Sequence, residues 1–159
     1  VLTLPISSAA LCIILDLNGL AAGAATAGCC AQMVGFAVAS YRENGMGGLM
    51  AQGLGTSMLQ VPNIMKNPKI WLAPTFSAII TGPLATIVFN MENMAISAGM
   101  GTAGLVGPLG VLTTMGNSAN TWTAILVVCF LAPALLTFVF DSIFRKLGWV
   151  KDGDMKLDL

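Results

Sequence analysis

The sequence predicts an all-α integral membrane protein: a bundle of about three to four transmembrane helices plus two glycine-rich re-entrant hairpins, possibly related as an inverted repeat. Three observations carry this. The chain is 56% hydrophobic and only 9% charged, against about a quarter charged in soluble domains. Two apolar runs, Trp71 to Phe89 and Trp122 to Phe140, are entered by tryptophan, and a basic connector precedes Trp71, as expected where aromatic rings sit at the membrane interface. Two polar, glycine-rich stretches, 45–62 and 90–121, are too polar to face lipid and too apolar to be free loops. Non-helical backbone at membrane depth persists only where protein or a watery cavity satisfies it.

Taken in order, Leu2 to Leu15 is apolar but short of the ~20 residues that span a bilayer. It reads as a helix entered part-way, so the chain is expected to be the C-terminal part of a larger transporter-sized protein. Asp16-Leu17-Asn18-Gly19 reads as a turn. Gly19 to Ala39 is long enough to span, with small residues four apart at Gly19/Gly23, Ala24/Gly28 and Ala31/Gly35, the pattern of close helix packing in lipid. Gln32 is its one side chain that could face a pore. Tyr41 to Gly45 interrupts the run with charge, and 45–62 has only partial helical periodicity. Asn63 to Lys69, bounded by Pro62 and Pro68, reads as a short basic connector. Trp71 to Phe89 is a span with a kink expected near Gly82-Pro83, and Trp122 to Phe140 is another, bent near Pro133. From Asp141 on, Arg145, Lys146, Lys151 and Lys156 suggest a soluble cytoplasmic tail. The expected division is therefore 1–140, a membrane transport domain, and 141–159, the tail.

Lys and Arg enrich cytoplasmic loops. The basic tail puts the end of the last span inside, and Lys66 with Lys69 puts the start of the Trp71 span inside. The stretch 90–121 must then leave and return on the outer side, and 45–69 on the inner side. The two stretches echo each other: Gly53-Leu-Gly55-Thr56-Ser57-Met-Leu59-Gln-Val-Pro62 aligns without gaps on Gly99-Met-Gly101-Thr102-Ala103-Gly-Leu105-Val-Gly-Pro108. Each copy follows a Glu-Asn pair, Glu43-Asn44 or Glu92-Asn93. One span separates the copies, so they enter from opposite faces, as in inverted repeats whose broken helices form a midplane site. Chance similarity in so glycine-rich a chain is the alternative.

Several function classes fall away. Equal numbers of acids and bases give no footprint for nucleic acid. With no histidine and four cysteines in apolar segments, no metal site and no cofactor are expected. Gly99-x-Gly101-x-x-Gly104 matches a dinucleotide fingerprint as a string but follows no strand. Its glycines more naturally make a turn whose backbone groups, with nearby hydroxyls, bond a polar solute such as a sugar. Glu92 is the only charged residue between Lys69 and Asp141, and a charge at mid-bilayer costs about 3 kcal/mol or more. It reads as an interface anchor, as the partner of a base elsewhere, or as a substrate ligand and proton acceptor.

The blocks Gly19 to Ala25, Gly28 to Gly45, Gln52 to Asn63, Met91-Glu92-Asn93 and Gly99 to Gly107 resemble bacterial phosphotransferase-system sugar permeases, the membrane IIC subunits, over nearly all of residues 7–120. The resemblance implies a multi-pass inner-membrane protein that binds sugar at mid-membrane. A phosphocysteine on a IIB partner, recharged through IIA, phosphorylates the sugar, so the membrane subunit is part of a sugar phosphotransferase whose donor residue lies elsewhere. A homodimer in contact with membrane lipid is expected. Glu92 then looks like the carboxylate that holds a sugar hydroxyl and takes its proton. The substrate-binding candidates are Asn93, Gly99, Gly101 and Thr102 on the outer hairpin, and Glu43, Asn44, Gln52, Gly55, Thr56, Gln60 and Asn63 on the inner one. Glucose-type permeases pair such a Glu with a His, which this chain lacks. The alternative is a secondary transporter or channel for a small polar solute without phosphotransfer.

Overall fold

The computed structural model describes residues 5–157. Helix α1 (Pro5–Ile14) leads through a turn at Asp16, in left-handed backbone, into α2 (Leu20–Ala39). After a turn at Ser40 comes α3 (Tyr41–Met50), which runs on as a wide π turn to Gly55. A break at Thr56, a 3-10 turn (Ser57–Gln60) and α4 (Val61–Lys66) complete the inner hairpin. Helix α5 (Leu72–Pro83) is preceded by a 3-10 turn and extended by a π turn to Val88. The outer hairpin holds α6 (Ala95–Ala98), a 3-10 turn (Ala103–Leu105) and α7 (Val106–Met115). The last rod joins α8 (Ala119–Ala124), a π turn (Ile125–Leu131) and α9 (Ala132–Lys146).

Three of these helical runs, 20–39, 68–88 and 119–146, are long and apolar enough to cross a membrane, and 103–115 is a shorter apolar helix. The all-α membrane bundle is therefore as expected. Among the described residues the one β-bridge is an isolated antiparallel pair, Gly19 with Asn93. The π turns that follow α5 and precede α9 lie beside the two prolines where bends were expected. Proline donates no hydrogen bond and its ring crowds the carbonyl four residues back, so the winding next to Pro83 and Pro133 widens to recover partners.

Helix α2 is central and packs on α5, α9 and both hairpins. Its small residues explain the approach: a Cβ at Gly23 would overlap the Met91 carbonyl, and one at Gly35 would press on Pro74 and Thr137. Gly28 departs from the expected pattern, since a Cβ there meets nothing; it opens onto a cavity. At the outer end Met91, Val111, Ile125 and Val128 form one buried cluster, and at the inner end Phe36, Ile70, Phe144, Val150 and Met155 form another.

Three boundaries differ from the sequence reading. The expected connector 63–69 is helical through Lys66. The charged interruption at Tyr41 to Gly45 is itself helical, and the break falls at Gly45, whose positive φ only glycine adopts cheaply. The last span does not stop at Phe140. It starts at Ala119, where the Ser118 hydroxyl accepts from the Thr121 amide, and continues to Lys146. Beyond it the chain folds back, burying Val150 and Met155 against the bundle and setting Trp149 against Phe144.

All seven basic residues gather at the inner end: Arg42, Arg145, Lys146 and Lys151 around one cavity, Lys66 and Lys156 around another, and Lys69 over the Trp149 ring. The opposite end carries Asp16 and Glu92 and no base. This asymmetry supports the orientation given by the positive-inside rule.

Candidate functional site

The two sequence echoes meet in space. Thr56 and Thr102, aligned in the echo, each precede a 3-10 turn followed by a helix. The Thr102 hydroxyl donates to the Gly53 carbonyl, so the tip of the outer hairpin rests on the inner one. Gly99 and Gly101 let this tip sink in, because a Cβ at Gly99 would overlap the Ser8 backbone and one at Gly101 would crowd Cys29.

At the outer root the buried keystone is Asn93. Its Nδ2 donates to Thr26 Oγ1 at 2.7 Å and to the Gly107 carbonyl at 3.2 Å. Its Oδ1 accepts from Ser97 Oγ at 2.6 Å and from the Met94 amide at 2.8 Å. Gly110 lies where a Cβ would strike this oxygen. Glu92 lies beside it but is exposed, which corrects the expectation of a buried carboxylate. The cause is strand-like alternation: extended residues point to opposite sides in turn, and the bridge to Gly19 turns Met91 and Asn93 inward and Glu92 and Met94 outward. Among the described residues Glu92 is the one carboxylate with no hydrogen-bond or ion-pair partner.

At the inner end the candidates hold the tail. Glu43 pairs with Arg145 at 3.1 Å and accepts from the Met155 amide at 2.7 Å. Asn44 and Gln60 both donate to the Met155 carbonyl, and Asn63 donates to the Lys156 carbonyl and to Gln60 Oε1. Arg145 also binds Asp141 and Asp152, each at 2.8 Å. Gln52 is fully buried and donates to Ser40 Oγ and the Gly48 carbonyl; its Oε1 has no partner among the described residues. Thr56 accepts from the Met58 amide, and Gly55 is exposed. The candidates therefore divide into an outer clamp, a hairpin contact and an inner latch, and Glu92 is far in the chain's architecture from Glu43.

A further cavity, of about 670 Å³, follows α2 from Leu15 and Leu17 to Trp71. Gln32 spans its wall, accepting from the Trp71 indole at 3.1 Å and donating to Thr75 Oγ1 at 3.3 Å. Gln32 was flagged by its polarity in an apolar helix; Thr75 and Trp71 were not, since nothing in sequence links α5 to that face of α2.

A family model for the phosphotransferase system, EIIC, matches residues 1–157. The chain belongs to that family. No curated protein and no solved structure matches it. An EIIC protein is a sugar permease of the bacterial inner membrane that works with a IIB partner.

Proposed function

We propose that this EIIC chain couples sugar entry to phosphorylation by a phosphocysteine on IIB. The match across 1–157 carries this reading. In the transfer, a sugar hydroxyl oxygen bonds to phosphorus as the sulfur–phosphorus bond breaks, the cysteine leaves as thiolate, and the hydroxyl proton passes to Glu92. Phosphoryl transfer asks mainly for positioning and charge stabilisation, and an unpartnered carboxylate on a clamped backbone supplies a proton acceptor. Glu92 stands at the outer root, so this role requires the outer hairpin to carry it toward the cytoplasm, as alternating access provides. The cavity along α2, within the usual 300–1,000 Å³ range of small-molecule sites, gives the sugar ring room beside Gln32 and Thr75.

In vesicles bearing the full-length protein and supplied with phosphorylated IIB, Glu92→Gln is expected to lower sugar-phosphate formation by about 10²–10⁴-fold, the usual contribution of a general base, with protein yield retained. Formation within a factor of two of wild type would remove Glu92 from the chemistry.

A further inference from the structure

Two neighbouring cavities along the inner half of α2 share Val38 and Leu49 in their walls, one of about 420 Å³ at the inner end and one of about 390 Å³ deeper in. The deeper part runs between α2, the inner hairpin and the last rod, past Leu54, Phe130, Leu131 and Ala134, and has no polar side chain in its lining. The inner part ends at Tyr41, Arg42 and Asp141. Asp141 gives its charge to Arg145. Arg42 and Tyr41 are exposed and take no hydrogen bond or ion pair among the described residues. A guanidinium and a phenol with no hydrogen bond among the described residues thus stand at the cytoplasmic interface, at the mouth of an apolar trough.

We propose that this groove holds one phospholipid of the inner leaflet, its phosphodiester on Arg42 and Tyr41 and an acyl chain against Leu54, Phe130 and Leu131. Arginine is suited to phosphate because its fork of donors binds two oxygens at once, and tyrosine hydroxyls favour the headgroup level. The polar-to-apolar order of the groove follows that of a lipid from headgroup to bilayer centre. A sugar would lack hydrogen-bond partners in the deep part. An extended peptide would leave its backbone unpaired there, a cost of several kcal/mol per group in hydrocarbon. Gly53 also lines the deep part, and its carbonyl receives the Thr102 hydroxyl. The bound chain therefore touches the inner hairpin where the outer one rests on it.

The test is native mass spectrometry of the full-length protein after a detergent wash that strips boundary lipid. Wild type is expected to keep one adduct of phospholipid mass. Arg42→Glu, a surface change, lowers its occupancy at least about tenfold, the loss of one charge-assisted contact. Ala134→Trp, which fills the trough, lowers it too, whereas Ile87→Trp at a 76% exposed position leaves it unchanged. Equal retention in wild type and Arg42→Glu, or no adduct in wild type, overturns the proposal. So does disulfide cross-linking of Leu49→Cys to a second copy, which would give the groove to protein.

Discussion

Asn93→Ala is expected to lower the melting midpoint of the detergent-purified protein by roughly 6–12 °C. The substitution removes four hydrogen bonds that join α2, the bridge residues, α6 and α7. Each contributes about 0.5–1.5 kcal/mol net, and interhelical bonds in membranes average near the lower figure, so about 3 kcal/mol is at stake. For a protein of this size one kcal/mol moves the midpoint by about 2–4 °C. Asn93→Asp separates the terms, since it keeps the acceptor for Ser97 and Met94 but loses the donor to Thr26 and Gly107. A midpoint for Asn93→Ala within about 2 °C of wild type would contradict the clamp.

Arg145→Met has the second large effect, about 3 kcal/mol, because it leaves two largely buried carboxylates without their cation. The side chains of Arg145, Glu43 and Asp141 are all nine-tenths buried or more, whereas Asp152 is exposed and adds little. Loss of the arginine also frees Glu43, which holds the Met155 amide, so the tail is expected to be cut by trypsin at Lys151 and Lys156 several times faster. Adding Glu43→Gln and Asp141→Asn to the same protein removes the stranded charges and is expected to recover much of the stability. Unchanged tail cleavage in Arg145→Met would show that the latch does not depend on this ion network.

The spans were legible because hydrophobic length and interfacial tryptophans act locally. Gly19 to Ala39 became α2 almost to the residue. The hairpins were legible through the Gly53 and Gly99 echo, whose breaks coincide at Thr56 and Thr102. The direction of Glu92 was not, since it is fixed by pairing with Gly19 across more than seventy residues of chain, and no local period reports that. The tail was misjudged for a related reason. Lys146, Lys151, Asp152 and Asp154 make it look solvated, yet Val150 and Met155 are buried in the inner cluster. Glu43, Asn44, Gln60 and Asn63 were singled out as substrate-binding candidates, and in the structure their side chains hold the backbone of the tail.

On the proposed coupling, sugar crosses only as it is phosphorylated. Its most direct measurement is the coupling ratio in vesicles bearing the full-length protein: phosphate lost from IIB against sugar gained inside. One sugar phosphate is expected per phosphocysteine consumed, and no internal sugar when IIB is unphosphorylated. Free sugar accumulating without the phosphorylated donor would contradict it.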